Sequence, residues 1–109
     1  MVNKIRQYDI YWISLDPIIG SEMAKIRPCV VVSPNEMNQF LRTVVIIPIT
    51  STLKDYPWRI NCTISGRNGS VATDQIKAID TSRIGKKVGM LLTKEIELLK
   101  EVIQKMLID

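Results

Sequence analysis

The sequence predicts a mainly β fold of the α+β class, in which short twisted strands curl into a partly open barrel and a helix closes the chain. Short apolar and β-branched runs recur between residues 9 and 91, separated by turn signals. A capping motif after the second run predicts one small helix in the middle. The apolar spacing becomes helical from Thr93 onward. Small, strongly twisted sheets of this content tend to close on themselves.

The predicted strands follow one another along the chain at residues 9–14, 29–33, 43–50, 58–64, 71–80 and 85–91. Pro48 marks an edge or a bulge, because proline cannot donate to a ladder. Residues 65–70, SGRNGS, predict a hairpin turn. The weaker β run at 71–80 predicts either one kinked strand or two short ones. Residues 15–28 predict a long loop, and long loops in compact domains are usually functional or disordered.

Two helices complete the prediction. Ser33 to Glu36 has the form of a capping box, with Ser33 as N-cap and Pro34 at the first helical position, so a short helix should run to about Leu41. Thr93 can cap the last helix. This helix carries one apolar stripe: Ile96, Leu99, Val102, Ile103, Met106 and Leu107. We expect the stripe to pack in the core, and a partner-facing role for part of it is the alternative.

Length and composition favour one cytoplasmic domain spanning residues 1–109. Apolar residues make up 46% of the 109 residues and charged residues 24%, as in soluble globular proteins. No apolar run approaches the roughly 20 residues of a membrane span. The first residues lack the apolar segment of a secretory signal. The net charge of +4 attracts polyanions such as nucleic acid, although charge alone does not establish such binding.

The residue types restrict the chemistry. The chain contains no histidine and two cysteines, Cys29 and Cys62, which are too few ligands for a zinc site. Neither cysteine belongs to a CxxC pair, so we expect two reduced, buried thiols. Acid–base chemistry must therefore use carboxylates, Arg, Lys, Tyr or the substrate itself. We predict no metal and no cofactor.

The stretch GSEMAKIRP at 20–28 holds the first candidate residues. Pro28 favours an extended backbone at Arg27, which we place at the mouth of the strand that follows. A guanidinium fixed there can grip a phosphate with two parallel hydrogen bonds. Glu22 and Lys25 lie further out on the loop. The alternative is a solvated loop whose charges contribute little.

Three further groups are candidates. Thr50 and Ser51 follow a buried strand, where their hydroxyls can donate to phosphate oxygens or stabilise a turn. The pair at residues 74–75, Asp-Gln, interrupts a β-like run, which indicates a groove, an interface or a wet strand face. Trp58 follows a turn and can stack on a base. We expect Trp12 to pack in the core.

The ordered pieces GSE…RP.VVVSP, PIT and DQI..ID, followed by an amphipathic helix, resemble the MazF/PemK family of toxin endoribonucleases from about Tyr8 to Asp109. The resemblance implies an SH3-like or CcdB-like partly open β-barrel that works as a homodimer. It implies metal-independent cleavage of single-stranded RNA, often mRNA, at short motifs, leaving 2′,3′-cyclic phosphate and 5′-hydroxyl ends. It also implies a cognate antitoxin whose acidic disordered tail occupies the RNA groove.

The family's site residues carry over one position at a time. Its loop glutamate matches Glu22, its active-site arginine matches Arg27, and its threonine after the central strand matches Thr50. Its late Asp-Gln pair matches residues 74–75. Where some members have a histidine before the glutamate, this chain has Ser21, and where those members have an arginine before the late aspartate, it has Ala72. The acid–base pairing of those members is therefore absent here.

These matches yield a hypothesis for the reaction and one rival. Arg27 would take the phosphate charge and Thr50 would donate to a non-bridging oxygen, while Glu22 would act as base or orient Arg27. The predicted RNA-binding residues are Ser21, Lys25, Ser51, Asp74, Gln75 and Trp58. The rival is a non-catalytic CcdB-like toxin that binds DNA gyrase, which would leave the GSE…RP loop without a task.

Overall fold

The computed structural model describes residues 4–15, 26–51 and 56–108. These residues form seven strands: β1 Asp9–Ser14, β2 Ile26–Val31, β3 Thr43–Thr50, β4 Arg59–Ile64, β5 Arg67–Ala72, β6 Lys77–Asp80 and β7 Ile84–Met90. Helix α1 spans Asn35–Phe40 and helix α2 spans Thr93–Leu107. Short 3-10 turns cover Thr73–Gln75 and Thr81–Arg83. The predicted mainly β fold with a small middle helix and a C-terminal helix is confirmed.

The strands form an antiparallel sheet in the order β4-β5-β3-β2-β1-β7, with β6 also paired to β3. Strand β3 pairs with β2 on one side and with both β5 and β6 on the other. Its pairing with β6 ends at Ile46, and its pairing with β5 begins at Ile49. Pro48 therefore stands where β3 changes partner, which is a position that tolerates a missing N–H.

Apolar residues cover both faces of this sheet because side chains alternate along a strand. Ile10 of β1 and Val30 of β2 belong to a cluster that includes Leu99 of α2. Ile13 of β1 and Cys29 of β2, on the other face of the same strands, belong to a second cluster. The α2 stripe packs on the first cluster through Ile96, Leu99, Val102 and Ile103. Its predicted last members, Met106 and Leu107, are exposed instead.

The start of α1 differs from the prediction. Helix α1 begins after Pro34 as N-cap, with no capping side chain, so the predicted capping box is wrong. Ser33 is buried, and its hydroxyl donates to Asn38 Oδ1 at 2.6 Å. The same hydroxyl accepts from the Val45 N–H at 3.0 Å. Ser33 thereby ties α1 to β3 instead of capping it.

The start of α2 also uses a different residue from the one predicted. Leu92, not Thr93, is the N-cap position. Glu95 accepts the Leu92 N–H through Oε1 at 2.8 Å and the Thr63 N–H through Oε2 at 3.2 Å. One buried carboxylate thus satisfies a backbone donor at the helix start and joins α2 to β4. No helix among the described residues is long and apolar enough to cross a membrane.

The turns refine the strand boundaries. Ser65 and Gly66 join β4 to β5 with φ of 49° and 79°, as a two-residue hairpin turn requires, and β5 begins at once afterwards. The run at 71–80 forms two short strands, which is the second of the two predicted alternatives. Strand β2 begins at Ile26, three residues earlier than predicted.

The cysteine prediction is confirmed within the described residues. Cys29 and Cys62 are free and buried. Burial raises the pKa of both thiols to about 12, and the nearby Glu95 charge adds to the rise at Cys62. The thiols therefore stay protonated at neutral pH and act as small apolar side chains.

Candidate active site

A groove of about 530 Å³ opens where β1, β2 and β3 meet the tip of the β4–β5 hairpin. Its polar lining consists of Arg27, Thr50, Ser51, Ser65, Arg67 and Asn68, and its apolar lining includes Trp12, Pro28, Ile49, Ile64 and Val88. Positive charge, hydroxyls and an indole thus share one concave surface. Such a mixture suits a ligand with phosphates and flat bases.

Arg27 and Thr50 come together through strand register. Cys29 of β2 pairs with Pro48 of β3 in an antiparallel ladder. Continuing that register by two residues brings Arg27 level with Thr50, and residues level with each other share a face. Both residues line the groove. The sheet therefore brings together the two residues at the centre of the predicted site.

Arg27 lies inside β2, whereas the prediction placed it just before the strand. It pairs with Ile13 of β1, and its side chain is half-buried. Among the described residues, no carboxylate pairs with its guanidinium. A half-buried cation held by a strand, without an internal counter-ion in the described part of the chain, is suited to an external anion.

Thr50 is the last residue of β3, and Ser51 follows it at the exposed edge of the groove. The predicted emergence of hydroxyls at this strand end is therefore confirmed in position. On its other side Thr50 pairs with Ser70 of β5. A Cβ at the neighbouring Gly69 would lie 2.9 Å from Ile49 Cγ2, so glycine permits β5 to approach β3 this closely.

Trp12 lies in the groove, and its predicted place in the core is wrong. Its side chain is 44% exposed, and it pairs in register with Pro28. Trp12 shares a face of β1 with the buried Ile10, but it lies two residues further along, at the open end of the barrel. The alternation of side chains along β1 identified the correct face for Trp12. How far the buried core extends along that face depends on the tertiary structure.

Sequence analysis also missed Arg67 and Asn68 in the groove lining. The segment SGRNGS gave a turn signal, and its charge was not assigned a role. Because the turn occupies only Ser65 and Gly66, the next two residues start β5 and reach the groove. A basic side chain directly after a two-residue turn was the signal that could have identified them.

A second polar cluster surrounds Trp58. The ring of Trp58 stacks on Tyr56, with centroids 4.7 Å apart and planes 10° from parallel, and both residues are over 40% exposed. The Arg59 guanidinium lies 5.5 Å from the Tyr56 ring centroid. It also donates to both carboxylate oxygens of Asp74, at 3.2 and 3.3 Å. The Thr73 hydroxyl donates to the Trp58 carbonyl and fixes the turn against β4.

This cluster is separate from the groove. Arg59 pairs with Ala72 at one end of the β4–β5 hairpin, and Ile64 pairs with Arg67 at the other. Five strand residues span about 17 Å. The sequence-predicted Asp74, Gln75 and Trp58 therefore do not line the groove with Arg27 and Thr50.

Asp74 and Gln75 lie in a 3-10 turn, so the predicted position within a strand is wrong. Both residues are exposed. The hydrogen bonds from Arg59 hold the pKa of Asp74 below its usual value. Ser21, Glu22 and Lys25 lie outside the described residues. Among the residues that are described, no three His, Cys, Asp or Glu side chains are grouped to hold a metal ion.

Comparison with known proteins decides the family. Residues 6–107 match the family described as PemK-like, MazF-like toxin of type II toxin-antitoxin system. The chain belongs to this family. A curated relative, the endoribonuclease toxin MazF of Escherichia coli K12, is 34% identical over 93 residues, covering 84% of each chain. The predictions of the family and of endoribonuclease activity are confirmed.

Solved structures agree with the MazF-like fold. MazF from Deinococcus radiodurans superposes with a TM-score of 0.79 at 23% identity, covering 94% of both chains. A MazE-MazF complex structure from the same organism (form II) gives a TM-score of 0.75 at 26% identity, covering 92% of this chain and 89% of the matched one. The groove described above is therefore a groove in a MazF-like fold.

Proposed function

We propose that this MazF-like chain is a toxin that cleaves single-stranded RNA, mRNA included, at short sequence motifs and without a metal ion. One observation carries the proposal. Arg27, without an internal carboxylate partner among the described residues, lies level with Thr50 in a groove that also exposes Trp12. A phosphate on the guanidinium and hydroxyl would leave room for a base on the indole.

The reaction uses the RNA's own 2′-hydroxyl. Its oxygen attacks the adjacent phosphorus, the bond from phosphorus to the 5′-oxygen breaks, and the proton lost from the 2′-hydroxyl is balanced by one gained at the leaving oxygen. The products are a 2′,3′-cyclic phosphate and a 5′-hydroxyl. Holding the attacking and leaving oxygens in line lowers the barrier. Donors already placed at the phosphorane lower it further.

Three residues have a part in the proposed reaction. Arg27 stabilises the charge on the phosphorane and is the candidate proton donor to the leaving oxygen. Thr50 donates to a non-bridging oxygen. Glu22 is either the base that takes the 2′-proton or the residue that orients Arg27. An arginine of ordinary pKa is a poor base, which favours the carboxylate for that step.

The remaining predicted residues hold the RNA. Ser21, Lys25 and Ser51 would contact the backbone near the cleaved bond. Trp58 would stack on a base about 17 Å from Ile64 at the groove end of the hairpin, where its exposed ring is already held by Tyr56. The exposed Asp74 and Gln75 would accept from or donate to base edges beside it. Two separate contacts along one strand are a basis for sequence preference.

The biological setting follows from the same proposal. The chain would form a single toxin domain and act in the cytoplasm as a homodimer. Its cleavage of mRNA would inhibit translation and growth. A cognate antitoxin would neutralise it by laying an acidic disordered tail in the groove. The net charge of +4 and the solved MazE-MazF structure of the Deinococcus radiodurans relative support this partner.

The test maps the ends of cleaved RNA. Purified protein is incubated with single-stranded RNA of mixed sequence in EDTA, and both new ends are determined. We expect cyclic-phosphate and 5′-hydroxyl ends at a short common motif. RNA whose 2′-hydroxyls are replaced by hydrogen should bind and stay intact. Linear phosphate ends would contradict the mechanism, and gyrase inhibition without RNA cleavage would favour the rival.

A further inference from the structure

Ser70 in the middle of β5 is exceptional among the described residues. Its side chain is fully buried, at 0% exposure. Among the buried side-chain nitrogens and oxygens that the structure describes, its hydroxyl oxygen is the one without a hydrogen-bond partner. Buried polar atoms in native proteins are paired in the great majority, and an unpaired one destabilises the fold. An unpaired hydroxyl at this depth therefore needs an explanation.

The sheet register places Ser70 beside the proposed site. Ser70 pairs with Thr50 of β3 on one side and with Asn61 of β4 on the other. Directly opposite residues share a face, and their Cβ atoms lie about 4.5–5.5 Å apart in an antiparallel pair. Staggered χ1 rotamers that turn the two hydroxyls toward each other would bring their oxygens within hydrogen-bond distance. Arg27, Thr50 and Ser70 thus occupy neighbouring positions across three strands.

Packing alone does not account for a serine here. The next residues of β5, Val71 and Ala72, are buried and apolar. Alanine at position 70 would keep the strand and remove the unpaired oxygen. The nearest hydroxyl that the Ser70 hydroxyl could assist is that of Thr50. In the proposed reaction, the Thr50 hydroxyl must point at a phosphate oxygen while the phosphorane forms.

We propose that Ser70 is a positioning residue for Thr50, an inference that rests on the proposed function. When a phosphate in the groove draws the Thr50 O–H toward its non-bridging oxygen, the Ser70 hydroxyl donates to Thr50 Oγ1. This bond holds the Thr50 rotamer and makes its hydroxyl a stronger donor, because linked hydrogen bonds polarise one another. Ser70 is too buried to touch RNA, so it acts through Thr50 alone.

Ser70→Ala tests the proposal through two readouts with opposite signs. We expect kcat to fall about 3- to 10-fold, the size of one hydrogen bond, while KM stays within about 2-fold. We expect Tm to rise by about 4 °C, because a buried unpaired hydroxyl is removed. A fall in Tm would show that the hydroxyl has a structural partner and would overturn the proposal.

Three further variants separate the possible causes. Asn61→Ala removes the other cross-strand neighbour and should leave kcat unchanged, so a matching loss would redirect the role to Asn61. Ser70→Cys keeps a weak donor of similar shape and should give a kcat between wild type and Ser70→Ala. In a Thr50→Val background, Ser70→Ala should lower kcat no further.

The failure of this inference differs from failure of the proposed function. If Arg27→Ala loses cleavage while Ser70→Ala cleaves at the wild-type kcat, the inference is wrong and the nuclease assignment stands. If the wild-type chain leaves all single-stranded RNA intact, the proposed function fails and Ser70 has no reaction to support.

Discussion

The two ends of the β4–β5 hairpin each lie beside an arginine, and the two arginines are in opposite situations. Arg27 in the groove is half-buried, and no carboxylate of the described residues pairs with it. Arg59 at the other end donates to both oxygens of Asp74 and lies over the Tyr56 ring. As far as the described residues show, the Arg27 guanidinium has no internal carboxylate partner, whereas that of Arg59 is bound by Asp74.

This difference indicates which end supports phosphate chemistry. A phosphate at Arg59 would have to displace an aspartate that is already bound through two hydrogen bonds. A phosphate at Arg27 would displace no internal carboxylate among the described residues. What the Arg59 end exposes is the stacked pair of Tyr56 and Trp58, a surface suited to a base. We therefore expect catalysis at one end and base recognition at the other.

The largest expected effect comes from removing each arginine in turn. Arg27→Ala should lower kcat about 10²- to 10³-fold, the range measured when one preorganised donor to a developing negative charge is lost. Its Tm should hardly change, because no ion pair within the described part of the chain is broken. Arg59→Ala should leave kcat within about 3-fold. It should lower the free energy of unfolding by about 1 kcal/mol, since both the ion pair and the cation–π contact are lost.

Cleavage of a single-motif RNA and thermal unfolding of the same preparations check both variants. Arg27→Lys is the matched control. It keeps the charge but loses the two-pronged grip, so it should retain only part of the activity. Equal losses of kcat in Arg27→Ala and Arg59→Ala would contradict the division between the two ends.

The two tryptophans give the next effect. Base stacking on an aromatic ring contributes about 1–3 kcal/mol per base, so Trp12→Ala should weaken binding about 5- to 150-fold on RNA of any length. Trp58→Ala should weaken binding by a similar factor only on RNA long enough to reach from the groove to the Trp58 end of the hairpin, which lies about 17 Å from Ile64. Binding of 2′-deoxy-substituted analogues of increasing length, measured by fluorescence anisotropy, tests this directly. A Trp58→Ala effect on the shortest ligand that still fills the groove would contradict it.

The sequence predicted the elements well where local patterns determine them. The strands at 43–50 and 58–64, the hairpin turn and the last helix follow from β-branched runs, turn residues and helical spacing. The helix starts were wrong because Ser33 makes a tertiary contact and because a local hydrogen bond to Glu95 replaces a Thr93 cap. Ser33 binds β3 instead of the helix backbone, and Glu95 supplies the bonds at the start of α2.

The lining of the groove was predictable only in part from the sequence. Arg27 and Thr50 were found because each lies in or at the end of a buried strand in a recognisable motif. Asp74 was grouped with them by the family resemblance and Trp58 because it follows a turn, yet neither residue lines the groove. Trp12 was missed because alternation gives the face of a strand and not the point at which the core ends.

The smallest expected effect concerns the end of the hairpin at which Asp74 already binds Arg59. Asp74→Asn should lower the free energy of unfolding at pH 7 by about 0.5 kcal/mol, because the Asp74 side chain is 42% exposed and solvent screens the pair. The bonds from Arg59 lower the pKa of Asp74, so the stabilisation is present above its unfolded value of about 3.9 and is lost as pH falls through the lower folded value. The Tm difference between wild type and Asp74→Asn should therefore disappear on acidification, and shrink in high salt at pH 7. A difference that stayed constant from pH 7 to pH 2 would show that Asp74 contributes through packing and that Arg59 is less fully occupied than its geometry indicates.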